Sequence, residues 1–167
     1  MATIVESLKH GPASDEQIAA LEAHIGFSLP EDYKAFARQH NGGRPEPDAF
    51  DFINEFEDQE EDIVFCFFPL RDIDCGEMTD ITMEDLADWP IHCAWDDLQN
   101  DYREIYEQDP EQQVLPIGTD GSSNYIAILL EGDGAGSIVF FEHEMARISP
   151  LAPDFDAFLE QLHEQAE

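Results

Sequence analysis

The densest group of chemically active side chains in this sequence is acidic. The stretch FEDQEED, residues 56–62, carries five carboxylates in seven residues, and carboxylate oxygens are common ligands of calcium. An EF-hand loop needs a glycine at its sixth position, and this stretch contains none. The turns GTDGSSN and GDGAG have too few carboxylates for the same role. We therefore predict no metal site and interpret the carboxylates as a charged surface.

Histidines and cysteines are the other candidates for chemistry. Cys66, Cys75 and Cys93 show no CxxC or histidine-partnered spacing typical of a metal site, so we expect free thiols, as in cytoplasmic proteins. His143 lies between two glutamates, but neighbours in a strand point to opposite faces and do not converge. The sequence has no phosphate-binding loop and no HExxH or GxSxG motif. We predict that the protein is not an enzyme and needs no cofactor.

The charge balance limits the kinds of partner. The sequence contains 39 acidic and 7 basic residues, which give a net charge of -32. Such a surface repels nucleic acid and anionic lipid, so we expect no nucleic-acid or membrane partner, and a basic protein surface is its complement. A hydrophobic content of 43% with 12 Phe indicates a folded domain, not an acidic disordered tail. With no apolar run of about 20 residues and no signal peptide, a cytoplasmic location is expected.

Two acidic segments, residues 55–62 and 96–111, form the predicted partner-binding surface. On a helix over 96–108, like charges three and four residues apart each cost about 0.2–0.5 kcal/mol, so the crowding favours a basic partner. General acidity of the source proteome is the alternative explanation. Aromatic side chains among the acids are candidate anchors, because binding hot spots are often Trp or Tyr. The predicted contact residues are Glu55, Asp58, Glu60, Glu61, Asp62, Asp97, Asp101, Tyr102, Glu104 and Tyr106, with Trp89 and Trp95 as further candidate anchors.

Two helices at the N-terminus are the most sharply bounded elements. The first is predicted from a Ser14 cap with Gln17 completing a capping box, and it ends at Gly26. The second begins at Pro30, where a missing N–H costs nothing. It ends at residues 41–43, Asn-Gly-Gly, which accept positive φ.

The rest of the chain predicts strands with helices between and after them. Its final helix starts at Pro153, and GDGAG (132–136) is predicted to be a hairpin turn. The whole is an α+β fold in a single domain, 1–167, in which two N-terminal helices, one middle helix and one C-terminal helix pack on a mostly antiparallel sheet. Predicted strands cover 49–53, 63–70, 91–95, 114–118, 124–130 and 137–144, and the predicted helices of the middle region cover 79–88 and 96–108.

Three blocks in this order resemble the SUKH superfamily, the Smi/Knr-like domains. The opening block, 14–43, contains the Leu-Pro-x-x-Tyr-x-x-Phe and Asn-Gly-Gly pattern; the others are 114–144, with a strand, an Asp-Gly turn and two following strands, and 151–162, the closing helix. Two serines, at 122 and 123, stand where the family often has glycine. The acidic middle, 44–110, carries no landmark of the family. The fold-signature residues are Leu29, Pro30, Tyr33, Phe36, Asn41, Gly42 and Gly43.

The resemblance implies a binding domain without enzymatic activity. Bacterial members of the family are mostly immunity proteins that neutralise secreted polymorphic toxins, and fungal relatives regulate cell-wall synthesis and signalling. The resemblance, together with the charge, predicts that this protein blocks a basic, nuclease-like cognate toxin sterically and electrostatically. A regulatory or scaffold domain and an acidic DNA-mimic inhibitor remain as alternatives.

Overall fold

A computed structural model describes residues 2–78 and 82–166 of the chain. It confirms an α+β fold with antiparallel sheets. The α-helices are α1 Asp15–Ile25, α2 Glu31–Gln39, α3 Ile91–Glu104 and α4 Phe155–Gln161, and two 3-10 helices cover Cys75–Glu77 and Met83–Asp88. The strands are β1 Thr3–Val5, β2 Arg44–Glu46, β3 Ala49–Ile53, β4 Gln59–Ile63, β5 Cys66–Phe67, β6 Val114–Thr119, β7 Tyr125–Leu129, β8 Ile138–Glu142 and β9 Arg147–Ala152.

The central sheet has five antiparallel strands in the order β5-β6-β7-β8-β9, and it is buried on both faces. Alternate residues of one strand point to opposite faces, so β8 sends Ile138 and Phe140 into one cluster of buried side chains and Val139 and Phe141 into another. The first cluster is the main core, to which α1, α2 and α4 contribute. The second, smaller cluster is closed by the C-terminal half of α3.

The N-terminal helices are capped as the sequence predicts. Ser14 and Gln17 form the capping box of α1, and Gly26 ends the helix at φ +83°. In α2, Tyr33 and Phe36 are buried and pack against Phe155 of α4, with ring centroids 5.4 and 4.8 Å away. The signature aromatic residues of α2 therefore belong to the core.

The Asn-Gly-Gly sequence after α2 forms a turn and also allows close packing of the neighbouring chain. The buried Asn41 amide donates to the backbone carbonyls of Gly11 and Leu70 and accepts from the Leu70 N–H. A Cβ on Gly43 would lie 2.7 Å from a side-chain carbon of Ile4 and 2.8 Å from the carbonyl oxygen of Val5. Only glycine therefore allows β1 to lie this close to the end of α2.

The middle of the chain departs from the predicted elements in three places. The predicted strand over 63–70 is divided, because β4 ends at Ile63 and pairs with β3, whereas β5 joins the central sheet. The predicted strand over 91–95 is wrong: Pro90 precedes the first turns of α3, and Ile91, Trp95 and Leu98 form its buried stripe. Part of the predicted helix over 79–88 is the 3-10 helix Met83–Asp88, whereas the predicted cap, residue 79, lies outside the described residues.

The prediction of three free cysteines is also wrong. Cys75 and Cys93 form a disulfide, with their Cα atoms 5.6 Å apart, and Cys66 is a buried free thiol. The first 3-10 helix lies over the first turn of α3, which brings together two cysteines separated by 18 residues. A strand over 91–95 offers no reason to place Cys93 at this contact, which depends on the first turn of α3.

Candidate partner-binding surface

The acidic segment 55–62 lies in a β-hairpin, residues 49–63, which we call the acidic hairpin. Its strands β3 and β4 pair antiparallel over five rows, from Ala49 opposite Ile63 to Ile53 opposite Gln59. The alternation in β3 places Phe50 and Phe52 inside, where their ring centroids lie 5.2 and 4.7 Å from that of Phe140 in β8. This aromatic contact fixes the hairpin to the main-core face of the central sheet.

The tip of the acidic hairpin, residues 54–58, is an ordered turn. The side-chain oxygen of Asn54 accepts from the backbone N–H groups of Phe56 and Asp58, both at 2.9 Å. Such a side-chain turn is typical of Asn. It leaves the Phe56 ring 74% exposed and the adjoining Ile53 47% exposed. Because Phe is enriched in the cores of protein interfaces, this exposed ring is a candidate binding anchor.

Arg147 of β9 holds the base of this tip. Its guanidinium donates to the backbone carbonyls of Ile53 and Asn54 at 2.9 and 3.0 Å and to the hydroxyl of Ser149 at 2.6 Å. It also lies 3.3 Å from the Glu142 carboxylate. The bonds to the carbonyls connect the tip to the edge strand of the central sheet, so the tip is preorganised.

The outer surface of the acidic hairpin is strongly negative. The segment 49–63 contains no lysine, arginine or histidine. His163, beyond α4, has ring nitrogens 3.3 Å from the Asp51 carboxylate and 3.9 Å from that of Glu61. The carboxylates of Glu55, Glu57 and Asp58 at the tip, beside Phe56, are exposed, as are those of Glu60 and Glu61 farther along β4.

Asp62, predicted as a contact residue, is only half-exposed and faces inward toward another carboxyl group. Burial, followed by a hydrogen bond with Asp120, raises the pKa of Asp62 to about 7. Asp120 is 8% exposed and accepts from the backbone N–H groups of Ser122 at 2.7 Å and Asn124 at 3.2 Å. These bonds hold the Asp-Gly turn between β6 and β7, so Asp62 links the acidic hairpin to that turn.

The second predicted segment lies on α3 and the loop that follows it. We call Asp97, Asp101 and Glu104 the α3 acid face; Asp97 and Glu104 are exposed and Asp101 is half-exposed. Desolvation, followed by the charge of Asp101, raises the pKa of Asp97 to about 6, although a hydrogen bond from Trp89 opposes the shift. Desolvation also raises the pKa of Asp101.

The aromatic anchors predicted on this helix are mostly core residues. Tyr102 is 4% exposed and packs with Phe141, and Trp95 is 7% exposed, so their prediction as exposed anchors is wrong. They complete the apolar stripe through which α3 closes the second cluster and reaches the first. Tyr106 is half-buried, its hydroxyl donates to the His143 carbonyl, and desolvation raises its pKa to about 12.

The two acidic surfaces flank one edge of the central sheet from opposite faces. The hairpin packs on Phe140 and the end of α3 packs on Phe141, the next residue of β8. Both are bonded next to the β8–β9 turn: Arg147 of β9 donates to the hairpin carbonyl of Ile53, and Tyr106, just after α3, donates to the carbonyl of His143. The two acidic surfaces do not form one flat patch. A partner that covered the β8–β9 turn would contact both.

Residues 12–161 match the protein family described as SMI1 / KNR4 (SUKH-1). The chain belongs to this family. The matched segment contains the acidic hairpin and α3, and it confirms the SUKH resemblance of the signature blocks. The chain is also similar to the SPbeta prophage-derived uncharacterized protein YokK of Bacillus subtilis (strain 168), with 26% identity over 152 residues, which cover 87% of this chain and 68% of that protein.

Sequence reasoning missed the most exposed aromatic residue described in this SMI1 / KNR4 family member. Phe56 lies within the acidic stretch 56–62, whereas the predicted anchors are Trp and Tyr residues. The signal that could have identified it is Asn54, a turn former two residues earlier, which indicates a hairpin tip that leaves the next side chains outside. No helix among residues 2–78 and 82–166 is long and apolar enough to cross a membrane.

Proposed function

We propose that this protein is an immunity protein that binds and neutralises a cognate polymorphic toxin with a basic, nuclease-like domain. Membership of the SMI1 / KNR4 family and similarity to a prophage-derived protein support a role of this kind. The observation that carries the proposal is the tip of the acidic hairpin, where an ordered turn presents Phe56 among exposed carboxylates. We place its action in the cytoplasm, where such a toxin would act.

The proposed mechanism is binding alone, without a chemical step or a cofactor. A nuclease must hold phosphates, so its active cleft is rich in Lys and Arg. The hairpin carboxylates attract that cleft over a distance, which raises association rates by about 10- to 1000-fold at low salt. Phe56 then packs into an apolar pocket beside the cleft, and the hairpin keeps nucleic acid out. An aromatic anchor inside a charged rim is the usual arrangement of a hot spot.

A rescue experiment tests this proposal. The C-terminal domain encoded by the adjacent open reading frame is expressed in a test bacterium with and without this protein, and survivors are counted. We expect the domain to kill and the wild-type protein to rescue. The hairpin variant Glu55→Gln/Glu57→Gln/Asp58→Asn should rescue poorly, because it removes three charges beside Phe56.

A matched variant separates the hairpin from charge in general. Glu16→Gln/Glu84→Gln/Asp133→Asn changes the net charge equally at exposed positions outside the hairpin. It should rescue as the wild type does. Equal loss in both variants would support a DNA-mimic or general-acidity explanation, and failure of the wild type to rescue, with both proteins expressed, would refute the immunity proposal in favour of a regulatory or scaffold role.

A further inference from the structure

The disulfide lies within a group of side chains that can bind a metal ion. The sulfur atoms of Cys75 and Cys93 and a ring nitrogen of His92 all lie within 4.8 Å of one another. Cys93 is buried, and the other two residues are half-buried. Two thiolates and one imidazole are a common donor set for Zn²⁺. The sequence conceals this group, because Cys75 joins the His-Cys pair only through the fold.

Backbone contacts position the three side chains independently of the disulfide. His92 Nε2 bonds to the backbone carbonyl of Ile73 at 2.9 Å. A carbonyl can only accept, so Nε2 carries a proton, and Nδ1 is the nitrogen that a metal ion can bind in the neutral ring. Asp74 accepts from the Gly76 N–H at 2.9 Å and caps the 3-10 helix that carries Cys75.

A further backbone hydrogen bond holds the start of α3 near the 3-10 helix that carries Cys75. The Ile91 N–H donates to the Pro69 carbonyl at 3.0 Å. This bond connects the start of α3 to the residues that follow β5. His92 and Asp74 line a cavity of about 390 Å³ between α1 and this contact. The cavity brings solvent to the His92 side of the group, although Cys75 and Cys93 do not line it, and a water molecule would complete the coordination of a bound ion.

We propose that, once the disulfide is reduced, Cys75, His92 and Cys93 bind one Zn²⁺ ion. A dithiol reductant supplies two electrons and two protons, the Cys75–Cys93 bond breaks to give two thiols, and the reductant leaves as its own disulfide. Zn²⁺ then displaces both thiol protons and bonds to the two thiolates and the imidazole. In a reducing compartment the ion would replace the disulfide as the link between the 3-10 helix and α3.

Zinc titration of the full-length chain tests this inference. Thiols counted in denaturant should rise from one to three on reduction, which establishes the starting state. Reduced, metal-free protein is then titrated with Zn²⁺ against a chromophoric chelator and with Co²⁺, whose thiolate charge-transfer band reports sulfur ligation. We expect one tight site in the reduced protein, a cobalt–thiolate band, and no tight site in the oxidised protein.

Variants distinguish this group from the acidic surface. Cys75→Ala and His92→Asn should each weaken Zn²⁺ binding by at least about 100-fold, since loss of a supporting group alone costs about 10- to 100-fold. Cys66→Ala and His163→Asn should leave the tight site unchanged; the second tests the exposed group Asp51, Glu61 and His163, whose ligand atoms also lie within 4.8 Å of one another. Reduced protein without a tight site, or with one that survives Cys75→Ala, would overturn the proposal.

Discussion

The acidic hairpin and the α3 acid face have similar compositions, yet they use their aromatic residues in opposite ways. On the hairpin, alternation buries Phe50 and Phe52, and the turn leaves Phe56 74% exposed among carboxylates. On α3, Tyr102 is 4% exposed and closes the second cluster beneath the acids. Density of acid alone therefore does not define a binding surface. An exposed aromatic ring beside the charge is what separates the hairpin from the helix, because the apolar residue exposed at the end of α3, Ile105, is aliphatic and 67% exposed.

The charges of the two surfaces differ as well. The pKa of Asp97 is raised to about 6 by desolvation and by Asp101, so the α3 acid face loses charge as the pH falls toward 6. On the hairpin the inward-facing Asp62 shows a comparable effect, whereas the carboxylates around Phe56 point to solvent. Near pH 6 we therefore assign long-range attraction of a basic partner mainly to the hairpin.

Replacing one aromatic residue on each surface by alanine should give the largest difference, which is a difference in the free energy of unfolding. Tyr102→Ala removes a buried ring from the second cluster and should lower the free energy of unfolding by about 3–5 kcal/mol. Phe56→Ala removes an exposed ring and should change it by less than about 0.5 kcal/mol. Urea denaturation of both variants measures the contrast. Similar destabilisation in the two would show that Phe56 is a structural residue.

For binding affinity we expect the opposite order, in which the hairpin variant has the larger loss. If Phe56 is the anchor of the proposed complex, Phe56→Ala should raise the dissociation constant by about 30-fold or more, equivalent to at least about 2 kcal/mol. Tyr106→Ala, on the α3 side, should cost less, since that ring is half-buried and its hydroxyl already bonds within the protein. Calorimetry with the cognate toxin domain measures both values. A larger loss for Tyr106→Ala would transfer the interface to α3.

The rate of association should separate the charges of the two surfaces. At low salt, Glu55→Gln/Glu57→Gln/Asp58→Asn should slow association about 10-fold, because attraction between unlike charges accelerates encounter. At pH 6 and the same salt, Asp97→Asn/Asp101→Asn/Glu104→Gln should slow it less, since Asp97, whose pKa is raised to about 6, is then only partly ionised and the pKa of Asp101 is raised as well. Stopped-flow measurements from low to high salt measure both effects. Equal slowing would show that only total charge matters.

The parts of the fold that the sequence predicts correctly are those with local signals. The Ser14–Gln17 capping box and the Gly26 stop bound α1 within a few residues, and both are present. The start of α3 was missed because residues 91–95 are a short apolar run, which is equally typical of a buried strand and of a buried helix turn. Only the contact with the central sheet decides between them.

The candidate site is predicted by composition but not by geometry. Five exposed carboxylates around residue 56 follow from the sequence, since a run of acids cannot be buried. The sequence cannot show that Asp62 faces Asp120, because those residues meet only through the pairing of β4 beside the Asp-Gly turn. The Cys75–Cys93 pair has the same origin: its two segments are distant in the chain and are joined by tertiary packing.

The smallest expected effect concerns the link between the hairpin and that turn. Burial and Asp120 raise the pKa of Asp62 from its ordinary value of 3.8 to about 7. The folded protein therefore binds a proton that the unfolded chain has lost, and this group's contribution to stability is complete below pH 3.8 and falls as the pH rises through about 7. Asp62→Asn stays neutral and can still accept from the Ile63 N–H. At pH 8 it should be more stable than the wild type by about 1 kcal/mol, with solvent screening considered.

Urea denaturation at several pH values measures this difference, which should shrink as the pH falls from 8 to 4. Glu60→Gln serves as the matched control, because it removes an exposed carboxylate two residues away in the same strand. It should leave the pH dependence close to that of the wild type. Asp120→Asn is unsuitable as a control, since Asp120 also accepts the bonds that hold the Asp-Gly turn. An Asp62→Asn variant that is no more stable than the wild type at pH 8 would show that the pKa of Asp62 is not raised in the folded protein, and that Asp62 belongs with the outward-facing charges of the hairpin.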